Sequence, residues 1–211
     1  MNRTTFIIDG FNLYHSVVKA STDLHIASTK WLDINSLCKS YLPLISKDAI
    51  IEKIYYFSAL ANHLQQRHPD KIKRHLLFIN ALKSTGIVVE LGRFKEKEVY
   101  CDNCKKLMVK HEEKETDVAM SAKIFEILIK NETDTIVIIS GDTDLAPVIR
   151  TTKILYPSKR ILFGFPYKRY NNELKKISPE SFSISKEQYV NFQFPNKIKF
   201  NNQVLIKPSQ W

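Results

Sequence analysis

Four aspartates occupy positions from which they could form a metal site for phosphate chemistry. Asp9 directly follows a short apolar run, and Asp142 and Asp144 follow a second, β-branched one. Asp117 begins the amphipathic segment that leads into that second run. Carboxylates repel one another unless a cation neutralises them, so four that converge on one edge of a fold would indicate a bound metal ion.

The chemistry of these side chains favours Mg²⁺ or Mn²⁺ over zinc. Oxygen ligands without a nearby histidine suit hard cations, which keep several waters and are completed by phosphate oxygens. One ion could polarise a phosphate and activate a water, and a second could stabilise the leaving oxygen. Asn12 and Ser140 lie beside the acids in the sequence and could orient a carboxylate or a water.

Each aspartate also has an ordinary structural interpretation. Asp9 with Gly10 could form a turn, and Asp117 could stabilise the N-terminus of a helix. Asp142 or Asp144 could cap the helix that follows. Any one of these residues alone is more often structural than catalytic, and it is the set of four that favours a functional site.

The segments that must position the acids alternate between strand-like and helix-like patterns. The predicted strands are Thr4–Ile8, Ile50–Phe57, Gly86–Phe94, Thr135–Ile139 and Arg160–Phe165. The predicted helices are Trp31–Tyr41, Gln66–Ser84, Thr116–Lys130 and Leu145–Leu155, and a polar stretch covers Lys95–Glu115. This alternation predicts an α/β fold with three α/β/α layers around a central, mostly parallel five-stranded sheet. Ligands bind such sheets beyond the carboxyl ends of the strands, where the acids are expected.

The length and composition fit one domain with a C-terminal extension. The chain has 211 residues, of which 44% are hydrophobic, and this excludes a disordered composition. We predict the domain over residues 1–178 and a basic tail, packed partly on it, over residues 179–211. No apolar run approaches the length of a membrane span, and the three cysteines indicate a protein of the reducing cytoplasm.

The net charge of +10 is concentrated towards the C-terminus. Residues 1–150 contain 21 Lys and Arg against 19 Asp and Glu, whereas residues 151–211 contain 11 against 3. A basic end beside a near-neutral body suits a polyanion such as nucleic acid. A solvated surface that keeps the protein soluble would have the same composition.

Three motifs resemble, in order, those of the NYN domain, a branch of the PIN-like nuclease superfamily. Phe6–Leu13 resembles its opening, Glu113–Val118 its "EKxxDV" motif and Ile139–Leu145 its "SGDSDF" motif. The match covers roughly residues 4–165. The closing residues, Phe194–Pro195 and Lys207–Trp211, also resemble the ends of compact, single-domain bacterial members.

The resemblance implies a metal-dependent endoribonuclease in which Asp9, Asp117, Asp142 and Asp144 are both the catalytic and the metal-binding acids. Glu113 matches the motif and is expected to support the metal ligands, or else to cap a helix or pair with a lysine. PIN-like chains include members with other roles, so an RNA-binding regulatory module with little or no catalytic activity is the alternative.

Substitutions inside the motifs are mild. Thr143 stands where serine is common and Leu145 where phenylalanine is common. A metal-dependent phosphatase, or another small-molecule enzyme that uses the same acids, is the weakest alternative. Asp9 after the first strand superficially resembles the haloacid dehalogenase phosphatases, but those need a second aspartate two residues later, and that residue is Phe11.

A CxxC pair, Cys101 and Cys104, lies in the predicted polar stretch. His111 could be a third ligand of a structural zinc ion, but a closed zinc site needs four ligands. We therefore favour two free thiols in a turn, or the remnant of a zinc knuckle, over a bound zinc ion.

Two basic segments could contact RNA. Tyr167, Lys168, Arg169 and Tyr170 place aromatic rings beside cations, which suits single-stranded RNA, and an ordinary solvated face is an equal alternative. For the basic residues between Arg67 and Arg74 we favour an ordinary solvated face. The predicted partner is RNA, single-stranded or structured, without a membrane, and a homodimer would be consistent with such a surface.

Overall fold

A seven-stranded sheet forms the middle layer of the computed structural model. The structure describes residues 1–26, 28–62, 68–101, 103 and 105–211, and for residues 110, 112 and 113 it describes the backbone but not the side chains. The strands are β1 (Asn2–Asp9), β2 (Ala49–Ala59), β3 (Val88–Tyr100), β4 (Leu107–Lys114), β5 (Thr135–Ile139), β6 (Arg160–Phe165) and β7 (Phe182–Ser183). Their order is β4-β3-β2-β1-β5-β6-β7. Neighbouring strands pair in parallel except for β3 and β4, which pair antiparallel.

Helices cover both faces of this sheet. One face packs against α1 (Gly10–Asp23), α2 (Ile34–Ile45), α3 (Pro69–Ser84) and α7 (Lys186–Asn191). The other packs against α4 (Thr116–Ile129), α5 (Ala146–Leu155) and α6 (Asn172–Ile177). The predicted three-layer α/β/α architecture is thereby confirmed. None of the described helices is long and apolar enough to span a membrane.

The central strands β1 and β5 contain continuous apolar runs whose side chains are buried on both faces of the sheet. Phe6 and Ile8 of β1 enter the core on the α1 side, whereas Ile7 enters the core on the α4 side. β5 divides in the same way, with Val137 on one side and Ile138 on the other. Continuous apolar runs are typical of parallel strands between two helical layers.

The sheet has seven strands rather than the predicted five, because β4 and β7 were missed. β4 falls within the stretch 95–115 that its polar composition suggested was irregular. It is held by an antiparallel ladder with β3, from Arg93↔Lys114 to Tyr100↔Leu107. Since most of its described residues are exposed, it has no apolar alternation by which a sequence pattern would reveal it.

α1 was also not predicted, and the turn offered as the structural alternative for Asp9 and Gly10 is wrong. Asp9 is instead the N-cap of the helix, with its side chain accepting a hydrogen bond from the backbone N–H of Asn12. An aspartate at this position satisfies one of the free N–H groups at the start of a helix.

The C-terminal residues pack on the α1 side of the sheet. After α7 a small antiparallel pair follows, β8 (Lys197–Phe200) and β9 (Gln203–Ile206). Trp31 donates from Nε1 to the carbonyl of Pro195 at 2.9 Å, and Leu205 joins the core. The division into a domain over 1–178 and an extension over 179–211 stays a prediction.

Tyr189 links this C-terminal part to α1 and to the loop after β6. It is fully buried, and its hydroxyl lies 2.8 Å from Ser16 Oγ and accepts a hydrogen bond from the backbone N–H of Tyr167 at 3.1 Å. Ser16 Oγ in turn donates to the carbonyl of Tyr167. One buried hydroxyl therefore satisfies groups from two other parts of the chain.

We expect Tyr189→Phe to lower the free energy of unfolding by about 1–3 kcal/mol, because it removes the acceptor of the partly buried Tyr167 N–H and the buried hydrogen-bond partner of Ser16 Oγ. Urea denaturation would measure this loss. The control Tyr100→Phe removes a hydroxyl from a half-exposed ring, 54% exposed, and should change stability by less than about 0.5 kcal/mol. Equal stabilities for the two variants would contradict the role given to the Tyr189 hydroxyl.

Candidate metal centre at the carboxyl edge of the sheet

Asp9 is the most buried of the four predicted acids, with 6% of its surface exposed. It ends β1, where the parallel register sets Ile8 beside Ile139, so the residue after β5 reaches the same level. That residue is Ser140, whose Oγ donates to Asp9 Oδ2 at 2.8 Å. Asp9 Oδ1 accepts the N–H of Asn12 at 2.9 Å, so both carboxylate oxygens are held in place.

The loop after β5 is tied to the start of α1 by a second hydrogen bond. Asn12 Oδ1 accepts the backbone N–H of Gly141 at 3.2 Å. Ser140 Oγ also accepts the N–H of Asp142 at 3.1 Å. The two neutral polar residues predicted to support the acids therefore join the two loops that carry Asp9 and Asp142.

Asp142 and Asp144 lie on one short turn after β5. Asp142 caps a 3-10 helix, Thr143–Leu145, by accepting the N–H of Asp144 on Oδ1 at 3.0 Å. Asp142 is half-buried and Asp144 is exposed. This cap orients the Asp142 carboxylate through Oδ1 and leaves Oδ2 outside that hydrogen bond.

Asp117 reaches the site from the first turn of α4. The helix begins after Glu115, whose backbone is left-handed with φ of 78° and whose carboxylate accepts two hydrogen bonds from the Arg93 guanidinium, at 2.9 and 2.6 Å. This ion pair fastens the start of α4 to β3. Sequence reasoning missed both partners: Glu115 lies inside the recognised motif, but nothing in the sequence connects it with Arg93 on another strand.

The charges of the other three aspartates act on Asp117. Burial of Asp117, followed by the negative charges of Asp142, Asp9 and Asp144, raises the pKa of its carboxyl from 3.8 to about 6. Like charges held near each other favour the protonated form, and a bound cation would reverse that effect.

The residues fit a hydrated divalent cation rather than a closed cage. Within the described part of the chain, no three His, Cys, Asp or Glu side chains approach closely enough to hold a metal ion together. Mg²⁺ and similar ions are commonly held by one or two carboxylates, several waters and substrate phosphates. An all-oxygen set with a raised carboxyl pKa suits that mode of binding.

Glu113 lies on β4, where its backbone pairs with Phe94. Its side chain lies outside the described residues, so its predicted supporting role stays a prediction.

The predicted zinc ligands are not brought together as a set. Cys101 lies at the tip of the β3–β4 hairpin, with its N–H donating to the carbonyl of Lys106, and Cys104 lies outside the described residues. His111 is on β4 opposite Glu96, about 17 Å along the hairpin from Lys106, the partner of Cys101. Its Nε2 lies 3.2 Å from Glu96 Oε1. His111 therefore does not accompany Cys101, and the preference for two free thiols over a zinc site stays a prediction.

Of the predicted RNA-binding segment, Tyr167 and Lys168 face α1. The Tyr167 hydroxyl donates to Asp23 Oδ2 at 3.1 Å, and Lys168 Nζ lies 2.7 Å from the same oxygen. These two side chains hold the loop against α1.

Arg169 and Tyr170 lie closer to the acidic edge. The carbonyl of Arg169 packs on Gly141 so tightly that a Cβ on Gly141 would lie 2.0 Å from it. Tyr170 is 52% exposed and packs edge-on against Phe165, with ring centroids 5.0 Å apart. The structure thus sets part of the basic, aromatic loop beside the loop that carries Asp142, and its predicted contact with RNA remains a proposal.

Comparison with known proteins bears on the family and the fold. The family model of the NYN domain matches residues 3–186. Among solved structures, the chain is similar to a protein of unknown function from Vibrio parahaemolyticus, with 16% sequence identity and a TM-score of 0.54. That similarity covers 92% of this chain and 96% of the other, and it shows the fold alone. The comparison with curated proteins finds no match.

The raised pKa of Asp117 predicts how stability changes with pH. The pKa of Asp117 is higher in the folded protein than in the unfolded chain, so folding favours the protonated carboxyl. The stability that the protonated form contributes is fully present below about pH 4 and is lost as pH rises through about 6. We expect Asp117→Asn to stabilise the protein at pH 7.5, on the order of 1 to 2 kcal/mol, and to give no gain at pH 3.5. Thermal unfolding at the two pH values would measure the difference.

The matched control is Asp70→Asn, since Asp70 is a largely exposed residue that only pairs with Lys73 at 3.9 Å. It should leave the pH profile unchanged. A loss of stability in Asp117→Asn at pH 7.5 would show that the carboxylate is not under electrostatic strain.

Proposed function

The chain belongs to the NYN domain family, and from this premise we propose that it is a divalent-metal-dependent ribonuclease that hydrolyses phosphodiester bonds in RNA. The family falls within the PIN-like nucleases, which supports a nucleic-acid substrate. The observation that carries the proposal is that Ser140 ties Asp9 to the loop carrying Asp142 and Asp144, and that the charges of these three acids act on Asp117 at the same edge of the sheet. Ligands bind at this edge in open parallel sheets.

Each acid has a distinct part in the proposed reaction. Asp117 and Asp142, both half-buried, would hold the metal ion, with Asp9 as a rigid carboxylate fixed by Ser140. A bound Mg²⁺ or Mn²⁺ would supply charge to polarise the phosphate and to lower the pKa of a water. Asp144 is the most accessible of the four and is available to accept a proton from the attacking water. Water adds to phosphorus and the bond to one bridging oxygen breaks, with a proton passing to that oxygen.

RNA as the substrate is supported by the loop beside the acids. Arg169 contributes a cation and Tyr170 a half-exposed ring, and their backbone lies against the loop after β5. Cations and rings together suit unpaired RNA. A homodimer and the cytoplasmic location stay predictions.

An RNA-binding regulatory module is the second candidate. It is favoured by the loop of Arg169 and Tyr170, which could contact RNA whether or not the acids hold a metal ion. Such a module would bind RNA in a salt-sensitive manner and release no product.

A cleavage assay on a mixed RNA pool separates the two candidates. With Mn²⁺ or Mg²⁺ the wild type should cut RNA, and EDTA should abolish cutting. Asp142→Asn should lower the rate at least about 100-fold, because it removes a charged metal ligand. The amide oxygen of the substituted side chain can still accept the N–H of Asp144, so the fold should survive.

Asp70→Asn is the control for a lost surface charge and should cut like the wild type. RNA that is bound but left intact by wild type in both metals would favour the regulatory module. Cutting that persists in Asp142→Asn would move the chemistry away from this edge.

A further inference from the structure

A cavity of about 460 Å³ opens between α1 and α3, directly beside the acidic edge. Gly10 and Ser58 line it. These residues follow Asp9 and Phe57, which are paired in the register of β1 and β2. The cavity therefore begins one residue beyond the aspartate at the end of β1, on the α1 side of the sheet.

Aromatic rings form much of its wall. Phe11 and Tyr14 on α1 are 51% and 48% exposed, although both are large apolar side chains. Across the cavity, Phe78 and Trp211 pack edge-on with ring centroids 6.1 Å apart. Exposed rings around an open cavity offer stacking surfaces for a flat aromatic ligand.

Two polar side chains give the cavity hydrogen-bonding capacity. His75 Nε2 lies 3.3 Å from Ser58 Oγ, and both residues line the cavity. Burial lowers the pKa of His75, so the imidazole is neutral near pH 7 and has one donor and one acceptor nitrogen. A hydroxyl beside a neutral imidazole can match the mixed donors and acceptors on the edge of a nucleobase.

The charge around the cavity is positive. Lys30, Lys71 and Arg74 line it, and its described lining contains no acidic side chain. Lys73, on the same helix as Lys71, is directed instead towards Asp70. Cations around an aromatic cavity complement a nucleotide, whose base is apolar on its faces and whose phosphates are anionic.

We propose that this cavity binds one unpaired nucleobase of a single-stranded RNA, with the adjoining phosphates on Lys71 and Arg74. Cleavage of the bound strand rests on the proposed ribonuclease function, since a strand held in this cavity passes Gly10 and reaches Asp9. A base in a duplex cannot enter a cavity of this kind without leaving its stack. The substrate class is therefore RNA with at least one unpaired nucleotide beside the cleaved bond.

Binding measured in EDTA tests the cavity separately from catalysis. The probe is a short fluorescein-labelled single-stranded RNA of mixed sequence, compared with a blunt duplex of the same length by fluorescence anisotropy. Ala61→Trp places a large ring on the cavity lining without changing charge, and it should weaken single-strand binding about tenfold. Wild type should bind the duplex more weakly than the single strand.

Arg74→Gln is a second variant, which removes a cation without filling the cavity. It should also weaken binding about tenfold, and it should reduce the slope of log Kd against log salt by about one. Lys73→Gln, a cation lost from the same helix outside the cavity, is the matched control and should change Kd less than about twofold. Thermal melts show that each variant is folded.

The proposal would be overturned if folded Ala61→Trp bound the single-stranded RNA as tightly as wild type does. It would also be overturned if wild type bound duplex and single strand equally, or bound no RNA. If Ala61→Trp binds an apolar dye more weakly than wild type does but binds RNA equally well, the cavity takes an apolar ligand and the proposal fails. If the variants lose binding and wild type cuts no RNA, the cavity stands and the nuclease function falls. If wild type cuts RNA and all variants bind and cut equally, the nuclease function stands and the cavity proposal falls.

Discussion

The carboxylate of Asp9 lies at the point where two loops of the sheet edge meet, and the arrangement of the other acids depends on how it is held. A buried carboxylate is costly unless hydrogen bonds compensate the lost water, and Asp9 obtains one from Asn12 and one from Ser140. Asn12 in turn holds the N–H of Gly141, so the same residues fix the loop that carries Asp142. Register between β1 and β5 makes these contacts possible, because it brings the two strand ends to one level.

The two faces of the sheet serve this edge in different ways. The α4 side supplies Asp117, whose helix is fastened to β3 through the pair of Glu115 and Arg93. The α1 side supplies the N-capped helix after Asp9 and the aromatic cavity, and residues as distant as Trp211 contribute to it. A strand of nucleic acid that crossed the edge would therefore meet acids on one side of β1 and rings and cations on the other.

Sequence patterns predicted the central part of this structure because strands that are buried on both faces appear in the sequence as continuous apolar runs. β1, β5, β6 and the second half of β2 are of that kind. β3 was predicted from its β-branched start although its residues are at most half-buried, and α4 from apolar residues at helical spacing. β4 has no such apolar run, since it is held by backbone pairing with β3 and its described residues are mostly exposed. The cavity could not be predicted because its lining comes from separate segments. The basic residues that end at Arg74 were interpreted as an ordinary solvated face, but they point in two directions from α3. Lys71 and Arg74 line the cavity, whereas Lys73 is directed towards Asp70.

The ring contact between Trp31 and Trp211 has a spectroscopic consequence. These are the two tryptophans of the chain, with centroids 6.0 Å apart, and Trp31 is fully buried while Trp211 lines the cavity. At that separation excitation passes readily between the two indoles, so a change around Trp211 alters the emission of both. The protein thus carries an intrinsic optical reporter at the cavity wall, and unlabelled ligands can be followed there by ultraviolet fluorescence.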